Sequence, residues 1–294
     1  GHDVVCDLAA ANRAVADSGL SGDAAEEAAA TYFKLRYVRP YARLAWRAMW
    51  LSALHLEWFA SWRASYYMPG TLSVAAPYPH SLYAQRFSAG ERGIVSVLQV
   101  GLLIDKRDNE PAPTHGTFVE ASVRASHSLW AGEYGFFGAN FTARGYLSPT
   151  NGWVLAGRFV ADVVQGDLPI GELSRVGGTR FYAAYGGVYS GRGIRVARYI
   201  DNVKAFVQLE SRWTPLNLRA WGRTLDLGIV GFVDAGVVGP AVTALASRLT
   251  RPRIGAGLGF RGALSRNFVV RADIGVSPLE DWGPRLYLAL GHVF

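Results

Sequence analysis

Six histidines, a single cysteine and 30 basic residues are where this chain could carry chemistry. His80, His115 and His127 are the histidines that a membrane-embedded lipase would set beside Ser or Asp. No Gly-x-Ser-x-Gly elbow, His-Glu-x-x-His helix or phosphate-cradling loop orders them, however. Gly255-Ala-Gly257-Leu-Gly259 has no helix after it and so makes a poor dinucleotide site. Cys6 stands alone, which excludes an intrachain disulfide framework and a Cys-rich metal site. The chain is therefore expected to be no enzyme and to need neither metal nor cofactor.

The charged residues carry more information through their spacing. Asn267–Gly275 alternates Phe268, Val270, Ala272 and Ile274 with Val269, Arg271 and Asp273. Thr117–Ala125 sets Val119, Ala121, Val123 and Ala125 against Phe118, Glu120, Ser122 and Arg124. The same period of two runs through 134–146 and 203–213, and over some ten segments in all. Period two is the signature of a strand with two different faces. The polar faces repeatedly hold ionisable groups of both signs, and no helical period intervenes to supply a second layer. Apolar-out and polar-in is the reading that fits: an all-β transmembrane antiparallel barrel whose strands span at roughly 9–11 residues.

Composition agrees. Half of the 294 residues are apolar and only 18% are charged, with nine Trp, 14 Tyr and 14 Phe. No stretch reaches the roughly 18 uninterrupted apolar residues of a membrane-crossing helix. Tyr and Trp crowd residues 32–67, as an interfacial girdle would require. The net charge of +7 comes with dispersed arginines and no nucleic-acid-binding signature, so nucleic acid is not an expected partner. Outer-membrane lipid and lipopolysaccharide are, since anionic headgroups suit a basic surface.

Residues 1–30 read as a short helical or mobile segment rich in Ala, Asp and Glu, and 31–294 as the barrel. Lacking a secretory signal, the chain is read as starting after its cleavage, with Gly1-His2 a processing remnant. Strands are predicted at about 31–47, 50–67, 81–88, 91–106, 115–127, 134–147, 152–165, 201–214, 224–238, 253–264, 267–277 and 285–294. That makes about 12, an even number as single-chain bacterial barrels have. In the last segment Leu286, Leu288, Leu290 and Phe294 share a lipid face. Such an ending commonly closes the cylinder of an outer-membrane barrel and carries the signature read by assembly machinery.

Several stretches then point to a family. Asp105-Lys-Arg107-Asp108 is followed by Pro113-Thr-His-Gly116. Gly191-Arg192-Gly193-Ile194 sits in the long Gly-rich connection 167–200. Gln208-Leu-Glu210-Ser-Arg212 and Gly231-Phe232-Val-Asp234-Ala-Gly236 come next, then the terminal segment. In this order they resemble the BamA/TamA-type assembly and translocation barrels, the bacterial surface antigen family. The resemblance implies a long loop folded into the lumen, with Arg192 and Gly193 at its tip. It also implies an inward strand carrying Phe232, Asp234 and Gly236, and a Glu-x-Arg strand carrying Glu210. A guanidinium inside a barrel needs a partner, so Arg192 and Asp234 are expected to pair.

Two departures stand out. The tip has Gly before Arg and Ile after Gly, where the family prefers an aliphatic and an aromatic residue. His292 replaces an apolar residue on the lipid face of the last strand. Family barrels usually have 16 strands preceded by POTRA domains, and neither fits in this length. The resemblance therefore implies a minimal 12-stranded relative, or strands supplied from elsewhere. The implied function is membrane protein assembly or translocation at a weak seam between the first and last strands, acting on client outer-membrane or periplasmic proteins. The alternative is a structural scaffold that anchors partner proteins without transport of its own. A passive pore ranks third, because the loop should obstruct the lumen.

Overall fold

A computed structural model of the chain describes residues 37–69, 92–220, 222–265 and 267–294, with 16, 17, 19–22, 24, 25 and 28 before them. Of the earlier residues described, 16, 17, 24, 25 and 28 are helical. The predicted strand 81–88 and the start of the one at 31–47 lie outside the described residues.

The strands are β1 (Tyr37–Val38), β2 (Tyr41–Leu51), β3 (Leu56–Pro69), β4 (Gly93–Asp105), β5 (Gly116–Ser126), β6 (Phe136–Thr150), β7 (Trp153–Gly166), β8 (Arg175–Val176), β9 (Tyr182–Ala183), β10 (Val203–Ala220), β11 (Arg223–Gly239), β12 (Arg253–Leu264), β13 (Phe268–Val276) and β14 (Arg285–Leu290). Two short helices interrupt them, α1 (Ile170–Leu173) and α2 (Val242–Arg248). Among the described residues twelve strands form one antiparallel sheet, in which β2 to β14 pair in chain order and β1 also pairs with β3; β8 and β9 pair apart, inside the long loop.

β1 and β2 lie end to end against β3, separated at Arg39-Pro40. Proline has no N–H for a ladder, but its carbonyl accepts from Tyr66 N at 3.1 Å, so the path along β3 continues. Among the described residues the sheet is thus eleven strands across. β3 pairs directly with β4. Alternating direction over eleven positions makes β2 and β14 run the same way. Among the described residues no ladder joins them.

The two faces are inverted relative to a water-soluble sheet. Leu258 and Leu288 are each 73% exposed, while Arg158 and Arg271 on inward positions are each 1% exposed. On β13, Phe268, Val270 and Ile274 face out and Val269, Arg271 and Asp273 face in, following the period of two. Among the described residues no helix is long and apolar enough to cross a membrane. The interior is filled by the 167–202 connection. Its Val176, Tyr182, Tyr185, Ile194 and Tyr199 pack on inward Val160, Phe206 and Val238 of the wall.

The end of the chain differs from the sequence reading. β14 stops at Leu290, and Gly291 adopts φ +77°, a left-handed conformation that breaks the period of two. Leu286, Leu288 and Leu290 face outward, but Phe294 turns into the lumen and packs with Tyr146, Ala156 and Val293. His292 likewise lies past the strand rather than on its lipid face, half-buried, its Nδ1 enclosed by protein.

Candidate functional site

The loop enters the lumen after β7 and touches nearly the whole wall. Its first anchor is α1, where Glu172 accepts from Arg63 of β3 at 2.7 and 2.9 Å and from Arg39 at 3.0 Å. Next, Gly177 N donates to Asp162 of β7 at 3.0 Å, and Thr179 N to Glu120 of β5 at 2.6 Å. Tyr185 OH reaches the Arg253 carbonyl on β12 at 2.7 Å. Its ring occupies the space that a side chain at Gly236 would fill. Arg195 and Arg198, on the way out, both pair with Glu280 in the turn before β14.

The tip carries the densest contacts. Arg192 is fully buried and binds Asp234 of β11 through two parallel bonds, Nε to Oδ2 and Nη2 to Oδ1, each 2.9 Å. Its backbone N–H adds a third at 2.8 Å. Nη1 donates to Glu210 of β10 at 2.6 Å and lies 3.4 Å from Asp273 of β13. The Phe232 ring lies 3.5 Å from the guanidinium carbon, an added cation–π contact in a desolvated place. The structure thus gathers Arg192, Gly193, Glu210, Phe232, Asp234 and Gly236 around one loop tip.

Backbone shape makes that approach feasible. Gly193 has φ +87°, and a side chain there would run into the Val276 carbonyl. A Cβ on Gly255 would sit 1.9 Å from the Arg192 carbonyl, so only glycine lets the tip lie flat on β12.

Sequence reasoning missed three parts of this constellation. Asp273 and Arg271, bonded at 3.0 Å, were legible only as the polar face of their strand. Arg261 closes the network, donating to Asp273 at 2.5 Å. Tyr287 was legible only as an inward residue of the last strand. Its hydroxyl accepts from Gly193 N at 3.0 Å and donates to the Ile194 carbonyl at 3.2 Å, so β14 itself clasps the tip. Ile194, where the family prefers an aromatic residue, is fully buried. The predicted terminal set divides: its three leucines remain on the lipid face, and Phe294 leaves them. Among the described residues no group of side chains could hold a metal ion.

The Omp85 superfamily domain matches residues 65–281, from within β3 to the turn before β14. The chain belongs to the Omp85 superfamily. Its structure is similar to that of BamA from Haemophilus ducreyi lacking POTRA domains 1–3, with a TM-score of 0.57 over 87% of this chain at 12% identity. At that identity the likeness is one of fold. The chain spans 54% of the BamA chain, about half its length. No curated protein matches. This Omp85 chain is a bacterial outer-membrane β-barrel with its long loop folded inward.

Proposed function

We propose that this Omp85 barrel acts in the assembly or translocation of outer-membrane proteins, at the border of its sheet and without enzymatic chemistry. The observation that carries this reading is the β2 border. Its outward Trp46 and Trp50 and its inward Tyr41 and Met49 are all well exposed, and among the described residues only β1's partner β3 pairs with it. A row of unpaired backbone groups in lipid is costly, so such a border recruits a strand. Pairing with an extended client segment satisfies it by β-augmentation. The filled lumen supports the same reading, because it leaves the wall rather than the centre as the place of work.

The second reading is a scaffold that holds fixed partners in the outer membrane. It is favoured by the loop's anchorage to both sides of the gap, Arg63 on β3 and Tyr287 on β14. A photo-crosslinking residue placed at Ala45 of β2, and another at outward Phe141 of β6, separates the two. Crosslinks from position 45 to many newly made outer-membrane proteins, with few from 141, are expected. One constant adduct at position 45 would establish the scaffold. Equal, weak labelling at both positions would remove the border from either account.

A further inference from the structure

Among the described residues, two guanidinium groups in the wall make no direct ion pair. Arg144 on β6 and Arg158 on β7 are register partners, directly opposite one another on the inward face, and both are buried. Like charges so placed repel, and burial takes away the water that would screen them. Arg158 donates only to the Tyr189 carbonyl and to Gln208 Oε1, and Arg144 to Tyr182 OH at 3.2 Å. The surrounding carboxylates are engaged by other groups: Asp162 by Arg124, Asp234 by Arg192, Glu210 by Arg192 and Arg212, and Glu120, the carboxylate facing Arg144 from β5, by the backbone and hydroxyl of Thr179. Across the described residues, nine buried cations face six buried carboxylates.

The polar atoms left over here are mostly donors, with the Tyr146 hydroxyl and His292 Nδ1 able to accept as well. Arg144 Nε, Arg158 Nε and Nη1, Arg212 Nη1 and Gln208 Nε2 are buried donors with no acceptor, and the Tyr146 hydroxyl is unpartnered beside them. Arg158 and Arg212 lie 5.2 and 5.3 Å from the Phe294 ring, which stands 6.3 Å from Tyr146, so these groups share one enclosure. A water can accept from two of these donors but presents protons of its own; an oxyanion presents only acceptors. We propose that Arg144 and Arg158, with Arg212, Gln208 and Tyr146, bind an oxyanion of the phosphate or carboxylate class between the lumenal loop and the chain's last four residues. This site is independent of the β2 border and stands whether the barrel assembles or anchors proteins.

The test uses the full chain folded in detergent, reading the temperature at which the compact band on an unheated gel converts to the unfolded one. Inorganic phosphate and acetate are titrated separately against chloride at equal ionic strength. A third arm supplies phosphatidylglycerol vesicles in phosphate-free buffer. A saturable rise with a free ion assigns a small anion, and a rise with vesicles alone assigns a lipid headgroup. Arg158→Gln should abolish the rise. Arg144→Gln should reverse sign: more heat-resistant than the parent in chloride, where it relieves repulsion, and less so at saturating anion. Should Arg158→Gln fail to fold, the Arg144→Gln reversal decides alone. An equal rise in chloride, no rise in any arm, or Arg144→Gln less heat-resistant in every buffer overturns the proposal.

Discussion

Removing the Arg192 side chain affects its three carboxylates unequally. Glu210 keeps Arg212 and Asp273 keeps Arg261 and Arg271, but Asp234 makes its ion pair with Arg192 alone among the described residues. Arg192→Ala therefore leaves a buried, unpaired carboxylate, a loss of about 3–5 kcal/mol. The gel-conversion temperature and the urea midpoint should both fall, with membrane location unchanged; an unaltered midpoint would show that the pair does not lock the loop. Arg192→Lys should fall in between, because an ammonium keeps the charge but not the two parallel bonds. Tyr287→Phe removes one hydroxyl that both accepts from Gly193 N and donates to Ile194 O. Stranding that buried N–H should lower stability by roughly 1–3 kcal/mol, and a double mutant with Arg192→Ala should lose less than the sum, since both hold the same tip.

At the scale of elements, the loop's seating depends on β12 offering no side chain beneath it. Gly255→Ala should lift residues 190–195 off the wall while β12 keeps its ladders, and limited proteolysis should then cut near Arg192 in the mutant but not in the parent. Equal resistance would show that the tip can shift aside. On β14, Leu288→Arg places a charge on the lipid face and should cost about 2–4 kcal/mol if that position lies near the midplane. The strands were legible because period two persists wherever one face meets lipid and the other the lumen: 253–264 was read to the residue, and 267–277 to within one. The end of the last strand was not, because a single φ at Gly291 redirects Phe294. The pairing of β3 with β4 was equally hidden, since order within a sheet leaves no trace in alternation. In the site, Arg192 and Asp234 could be singled out by resemblance, whereas Asp273, Arg261 and Tyr287 join only through register.

For the whole molecule, the loop decides what can pass. Its anchors run from Arg39 and Arg63 at one side of the sheet to Tyr287 at the other, crossing the centre through Tyr182, Tyr185 and Arg192. Reconstituted in a planar bilayer, the intact chain should pass little current, and deletion of 180–197 should raise conductance several-fold. High conductance in the intact chain would instead favour a diffusion pore.

Direction has one more consequence. Both margins of the sheet run the same way, β2 and β14 alike, so identical molecules inserted the same way up offer each other only parallel neighbours, the somewhat weaker pairing. Turning one copy over would fix the geometry, but a membrane with two unlike leaflets forbids the inversion. The barrel is thereby discouraged from chaining with itself across the bilayer plane, and a strand pairing antiparallel with either margin would have to run opposite to both.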